Sequence, residues 1–286
     1  MGRIHLLIRL NWERLVTKFN KIVTKSTHRK VKKRKIIGSW INSGSPIVSE
    51  LMAGLGFDFL TVDVEHSAVD VPQVQQIIQG IRAANPSCLP FVRTQGVEFS
   101  FVKRYLDAGA MGIIAPLVNT RHQAEELVKA VRYPPLGDRG VGFCPANQFG
   151  RNVREVFDNA NSDIYAIVQI EHVQAVENIE EILSVEGVDG VFIGPFDLSA
   201  SMGLTGQFDH PEYVAARQRI LDACRRANVP AGIHVVEPDP DQLEARYVEG
   251  FEILAYGLDI SLIPSACSSG LQRWNHIAHS GGKLDH

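Results

Sequence analysis

Four places in the chain put acid–base or charge-stabilising side chains directly after a short apolar run. Residues 59–62 lead into Asp63-Val64-Glu65-His66, and residues 89–92 lead into Arg93. A third run ends Gln169-Ile170-Glu171 with His172 next, and a fourth ends Gly194-Pro195-Phe196-Asp197. Glu171 and Asp197 follow neighbouring runs and have no cysteine nearby. Two carboxylates of this kind suit a hard octahedral cation that keeps waters and takes substrate oxygens, such as Mg2+, Mn2+ or Co2+. The competing reading is a carboxylate pair satisfied by loop amides. An imidazole such as His66 titrates near neutrality and moves protons, while a guanidinium such as Arg93 neutralises a developing oxyanion. A single histidine or arginine at a strand end is more often a satisfied hydrogen-bonding residue. Convergence of several on one point is what makes a site.

Lysine argues by absence. Beyond residue 35 the chain has only Lys103, Lys129 and Lys283; two lie inside helical patterns and one in the carboxyl-terminal tail. A Schiff-base enzyme needs its lysine at a strand end, in a pocket that depresses its pKa. Imine chemistry is therefore disfavoured, and metal stabilisation of an enolate remains.

The elements that must carry these groups are short apolar runs alternating with amphipathic segments. The runs fall at 37–41, 59–62, 89–92, 112–115, 165–170, 190–193, 231–235 and 252–255. Each is nearly continuous in apolar residues, as expected for parallel strands buried on both faces. Helical patterns such as 71–84 and 122–131 separate them. Eight repeats over about 250 residues predict a single (β/α)8 TIM barrel, whose catalytic groups sit at the carboxyl ends of its strands. An open doubly wound sheet is the competitor, but no G-x-G-x-x-G turn follows any strand. Two connections, 133–162 and 195–210, exceed the usual length and read as loops that cover a substrate.

The chain's 286 residues are 45% hydrophobic and 21% charged, with a net charge of −3. That is an ordinary globular composition with a full core. The near-neutral total conceals an asymmetry: residues 1–35 hold twelve Lys/Arg against Glu13, whereas the remainder is acidic. Two parts are therefore expected, an extension over 1–35 and an enzyme domain over 36–286 ending in a helical tail. In the extension Ile4, Ile8, Trp12, Leu15, Phe19 and Ile22 recur at helical spacing opposite a basic face. It reads as a membrane-surface helix, a targeting segment or a nucleic-acid arm, or, more plainly, as an extension that packs on its own oligomer or is disordered. Cys88, Cys144, Cys224 and Cys267 are scattered, without zinc or disulfide spacing, so a reducing compartment, the cytoplasm, is the default. No apolar run of about 18 residues spans a membrane, and no signal-peptide pattern opens the chain.

Taken together, Asp63-x-Glu65-His66, Val92-Arg93, Tyr133-Pro-Pro-x-Gly-x-Arg139-Gly-x-Gly142, Gln169-Ile-Glu171 and the stretch 187–199 closely resemble the HpcH/HpaI class II pyruvate aldolases. That family includes 4-hydroxy-2-oxoheptanedioate and 2-dehydro-3-deoxyglucarate aldolases. The resemblance runs in order from about residue 36 to 262. It implies a barrel of the phosphoenolpyruvate/pyruvate-binding type, a divalent cation on Glu171 and Asp197, and a homohexamer. It also implies that Gln169, Gly194 and the backbone at Phe196 and Asp197 hold the pyruvoyl group. Arg93 would stabilise the enolate oxygen, and His66 would be the acid/base, made more basic by Asp107. Departures from the pattern are His172 after Glu171, where it could crowd or assist the metal, Val64 in place of a smaller residue, and the stretch 142–150.

The reaction this predicts is reversible cleavage of a 4-hydroxy-2-oxo acid to pyruvate and an aldehyde, with a small-molecule 2-oxo acid as partner and no nucleic acid. One alternative keeps the enolate for synthesis, condensing an oxaloacetate- or acetyl-CoA-derived nucleophile. Another is a barrel without catalysis that binds partners through the basic arm.

Overall fold

A computed structural model describes residues 35–279, so most of the basic extension lies outside the described residues. Eight parallel strands close in sequence order into a barrel: β1 (Ile36–Ile41), β2 (Phe59–Asp63), β3 (Leu89–Arg93), β4 (Gly112–Ala115), β5 (Tyr165–Ile170), β6 (Gly190–Ile193), β7 (Ala231–Val235) and β8 (Ile253–Leu258). Closure excludes the open doubly wound sheet. The near-continuous apolar runs are explained by two separate cores. Inward side chains, among them Trp40, Phe59, Phe91, Tyr165 and Phe192, fill the barrel. Outward ones such as Ile41, Val62, Val92, Ile113 and Val168 pack under the helices. Fitting these rings inside needs glycine: a Cβ on Gly38 would lie 2.5 Å from the Phe59 ring, and one on Gly232 would lie 2.7 Å from that of Phe192.

Around the barrel run α1 (Pro46–Gly54), α2 (Val71–Ala84), α3 (Phe99–Ala108), α4 (Arg121–Val131), α5 (Val153–Asp163), α6 (Val173–Glu177), α7 (Ile179–Leu183), α8 (Pro195–Ser201), α9 (Pro211–Ala227), α10 (Pro240–Glu249) and α11 (Asp259–His279). Their starts are encoded locally. Asp70 with Gln73 and Thr120 with Gln123 form reciprocal caps that satisfy the otherwise orphaned first amides of α2 and α4.

Both long connections differ from the loops expected of them. The first contains a 3-10 turn at Pro145–Asn147 and then α5, and the second opens with α8. The last helix, α11, departs from the barrel. Of its 21 residues only Asp259 is buried; its carboxylate accepts from the amides of Asn42 (2.9 Å) and Ser43 (3.0 Å) and pins the helix start to the end of β1. Leu271 and Trp274 are 61% and 65% exposed. Among the described residues no helix is long and apolar enough to cross a membrane.

Candidate active site

The carboxyl ends of β1, β2, β3, β5, β6 and β7 converge on a cavity of about 310 Å³. Asp63, His66, Arg93, Gln169, Gly194 and Asp197 line it, with Trp40 and His234. Asp63, the last residue of β2, organises one wall. It is fully buried, and Arg93 forks onto it through Nε (3.0 Å) and Nη2 (2.7 Å). Asp63 also accepts from the amides of Glu65 (3.1 Å) and His66 (3.3 Å) and from Asn42 Nδ2 (2.7 Å). Burial acts to raise its pKa, but the Arg93 fork and the two amides outweigh it, so the carboxyl stays below its ordinary range.

Arg93 is thereby locked in orientation. Its Nη1 lies 3.3 Å from Glu65 Oε2 and its guanidinium stacks 4.4 Å from the centre of the Trp40 ring. A guanidinium has five N–H donors, and these contacts leave some of them for a ligand oxygen. His66 is 60% exposed at the rim, with Nε2 3.8 Å from Glu65 Oε2. Its imidazole is therefore open to solvent and to a ligand at the rim.

The opposite wall is acidic. Glu171 Oε1 accepts from the Leu117 amide at 2.7 Å, and Gln169 Nε2 donates to Oε2. No cation pairs with this buried carboxylate among the described residues. Burial pushes its pKa up to about 7 against those two hydrogen bonds, and the charges of Glu65 and Asp197 add to the rise. Burial likewise raises Glu65; Arg93 opposes the shift, while Asp63 and Asp197 reinforce it. Gly194 makes this arrangement possible. A Cβ there would fall 2.5 Å from Glu171 Oε2 and 2.9 Å from Glu171 Cβ. Asp197 and Phe196 are exposed in the first turn of α8, where helix amides lack intrahelical acceptors.

No group of three or more His, Cys, Asp or Glu side chains converges on one point among the described residues. Two carboxylates, Glu171 and Asp197, do face the same space. Gln169 Oε1 is a buried acceptor without a hydrogen-bond partner, whereas Glu65 Oε2 is ion-paired with Arg93. Mutual repulsion of the carboxylates, the orphaned amide oxygen and the lack of sulfur ligands fit a hard divalent ion.

Two residues singled out in the sequence have other partners within this chain. Asp107 does not meet His66 within one chain. It is the ninth residue of α3, which leaves the carboxyl end of β3 and runs back toward the other end of the barrel. Eight residues of helical rise carry it about 12 Å away from the start of that helix. There it accepts from Arg139 Nη2 at 3.1 Å, and Arg139 is itself buried against Tyr133. His172 does not reach toward Glu171 as a ligand: its Nδ1 accepts from the Gln174 amide at 3.1 Å and caps α6. Sequence reasoning also missed roles. Asp63 and Glu65 stood in the strand-end quartet without an assigned task, and Trp40 and His234 look like ordinary strand residues. A register argument could have found His234, because it shares the inward face of β7 with Gly232.

Residues 36–266 match the HpcH/HpaI aldolase/citrate lyase family. The chain belongs to that family. It is 40% identical over 239 residues to 4-hydroxy-2-oxo-heptane-1,7-dioate aldolase of Shigella sonnei, covering 82% of this chain and 89% of the relative. It is 38% identical over 241 residues to hydroxypyruvate/pyruvate aldolase of Chromohalobacter salexigens, covering 83% and 92%. A solved HpcH/HpaI family protein from Burkholderia cenocepacia superimposes with a TM-score of 0.83 at 33% identity, over 87% of this chain and 99% of that one. The chain is therefore a carbon–carbon lyase of the aldolase type on a (β/α)8 barrel.

Proposed function

We propose that the enzyme is a divalent-metal-dependent aldolase that reversibly cleaves a 4-hydroxy-2-oxo acid through an enolate to pyruvate, or a close 2-oxo acid analogue, and an aldehyde. The observation that carries this reading is the pairing of two walls around one cavity. One wall holds the oriented guanidinium of Arg93 beside His66; Asp197 and Gln169 line the other, with the buried Glu171 carboxylate hydrogen-bonded behind Gln169 and without a cation partner among the described residues. Glu171 and Asp197 would hold that cation, whose positive charge would lower the energy of the enolate.

The chain's own residues do the rest. Gln169 and the amides at Phe196 and Asp197 hold the carboxylate end, with Gly194 keeping the backbone close. His66 takes the proton from the C4 hydroxyl as the C3–C4 bond breaks and its electron pair moves toward the C2 oxygen. Arg93 donates to that oxygen, where charge develops only during the reaction, so its contribution grows toward the transition state. An acid then returns a proton to C3 and pyruvate leaves. Asp107 is remote from His66 of its own chain, so a dyad between them requires two copies. The apolar side chains exposed along α11 support such self-association, and a homohexamer is the assembly proposed. A reducing, cytoplasmic setting fits the four cysteines, none of which is in a disulfide. Contact of the basic extension with a membrane surface remains a proposal about residues outside the described ones.

The test is pyruvate release, followed by a coupled dehydrogenase, across a panel of 4-hydroxy-2-oxo acids before and after chelation. Cleavage that disappears with chelator and returns with Mg2+, Mn2+ or Co2+ is expected. Release that survives exhaustive chelation contradicts the metal assignment. A synthase would leave the whole panel uncleaved.

A further inference from the structure

The proposed cleavage leaves one polar side chain of the cavity without a task. His234 lies in β7 on the inward face and lines the same cavity as Arg93 and Asp197. Its position is fixed on two sides. The ring stacks on Trp40, with centroids 5.1 Å apart and planes 10° from parallel, and Nε2 sits 2.9 Å from the carbonyl oxygen of Gly257. A carbonyl only accepts, so Nε2 carries the hydrogen. Burial pushes the imidazole pKa down to about 4; the Gly257 carbonyl opposes this and Arg93 adds to it. The ring is therefore neutral across the physiological range, and its second nitrogen, Nδ1, holds a lone pair. Nδ1 has no hydrogen-bond partner among the described residues, and it is not among the sealed, unsatisfied polar atoms.

The chemistry around it defines what such an acceptor is for. Among the other acceptors, Asp63 is saturated by five donors, Glu65 and Asp197 are carboxylates that repel an anionic substrate, and the amide oxygens of Asn42 and Gln169 are sealed from the cavity. A neutral nitrogen takes a hydrogen bond from an O–H group without that repulsion. A carbonyl or carboxylate oxygen has no proton to offer it, and an apolar carbon leaves it unpaired.

We propose that His234 Nδ1 accepts a hydrogen bond from a substrate hydroxyl that takes no part in the bond cleavage, and so selects hydroxylated over deoxy substrates. This rests on the aldolase reading above. The hydroxyl has two possible sources with the same chemistry: C3 of the 2-oxo acid, as in 3-hydroxypyruvate, or the α-carbon of the aldehyde.

The experiment measures kcat/KM for condensation of pyruvate or 3-hydroxypyruvate with propanal or glycolaldehyde, by wild type, His234→Leu and His234→Gln. Gln retains an N–H for Gly257 but offers no acceptor at the Nδ1 position, which separates loss of the acceptor from loss of the strand contact. In both variants the hydroxylated-to-deoxy ratio falls about tenfold, the worth of one such hydrogen bond. A fall along the oxo-acid arm assigns the hydroxyl to C3, and a fall along the aldehyde arm assigns it to the aldehyde. Ratios unchanged in both variants, or a parallel loss in all four pairings, overturn the assignment while leaving the aldolase reading intact. A wild type that condenses none of the pairs overturns that reading, and this inference with it.

Discussion

Replacing Glu171 by Gln isolates the energetic signature of the proposed metal site, because the carboxylate is buried and lacks a protein cation. Its pKa is raised from an ordinary 4.5 to about 7. Folding thus favours the protonated form: the contribution of this group is most favourable below the unfolded pKa and is lost as pH rises through the folded one. At about 1.4 kcal/mol per pH unit, the deficit at pH 8 is about 3 kcal/mol. Gln removes the charge and fits the hydrogen-bond pattern, since its oxygen can accept from Leu117 and Gln169 can turn its unpartnered Oε1 toward the new amide. The chelated variant should therefore melt higher than chelated wild type at pH 8. For a chain of this length that stabilisation amounts to roughly 5 °C. Near pH 4.5 the two should converge. Adding Mn2+ should stabilise only the wild type and reverse the order at pH 8. Thermal melts at fixed protein concentration, with EDTA or Mn2+ and across pH, read all of this. A variant no more stable than wild type at pH 8, or an advantage equally large at pH 4.5, would refute the reasoning.

Three further outcomes are expected. Arg93→Ala should lower kcat by about 10²–10³ and also destabilise the fold by about 3–5 kcal/mol, because it abandons buried Asp63. Arg93→Lys should recover part of both losses, and kcat with the thermal midpoint checks this, a normal kcat in folded Arg93→Ala eliminating the role. Gly194→Ala places a methyl against Glu171, so titration calorimetry should find Mn2+ affinity lowered, with unchanged affinity as the contrary result. Removing residues 1–34 should leave cleavage nearly intact, since the segment precedes β1; a soluble truncation that loses more than about tenfold would show that the segment helps build the site.

The barrel was legible because its strands are buried on both faces, which leaves uninterrupted apolar runs such as Tyr165–Ile170. Where that cause weakens, the reading slips. The helix α5 has a short apolar stripe, Val153, Val156, Phe157 and Ala160, but only Ala160 is fully buried, and the Asn- and Asp-rich remainder reads as loop within 133–162. The helix α8 is a seven-residue turn opened by Pro195, too short for periodicity to register. At the site, residue type and strand-end position were enough to name His66, Arg93, Gln169, Glu171 and Asp197. Relations across the barrel were not legible. The Arg93 fork on Asp63 joins β3 to β2, and the stack of His234 on Trp40 joins β7 to β1. Asp107 illustrates a relation that one chain does not contain: its residue type suits a partner for histidine, but as the ninth residue of α3 it lies away from His66 of its own barrel.

The central claim is that this site makes an enolate of its 2-oxo acid with a divalent ion and Arg93. It is tested most directly without any aldehyde, by following the methyl protons of pyruvate in D2O by NMR. Enolate formation and reprotonation replace them with deuterium, so the methyl signal should fade with enzyme and Mg2+. It should persist with EDTA or with Glu171→Gln, and fade far more slowly with Arg93→Lys. Exchange that continues unchanged after chelation, or cleavage of a 4-hydroxy-2-oxo acid by an enzyme that never exchanges those protons, would contradict the account.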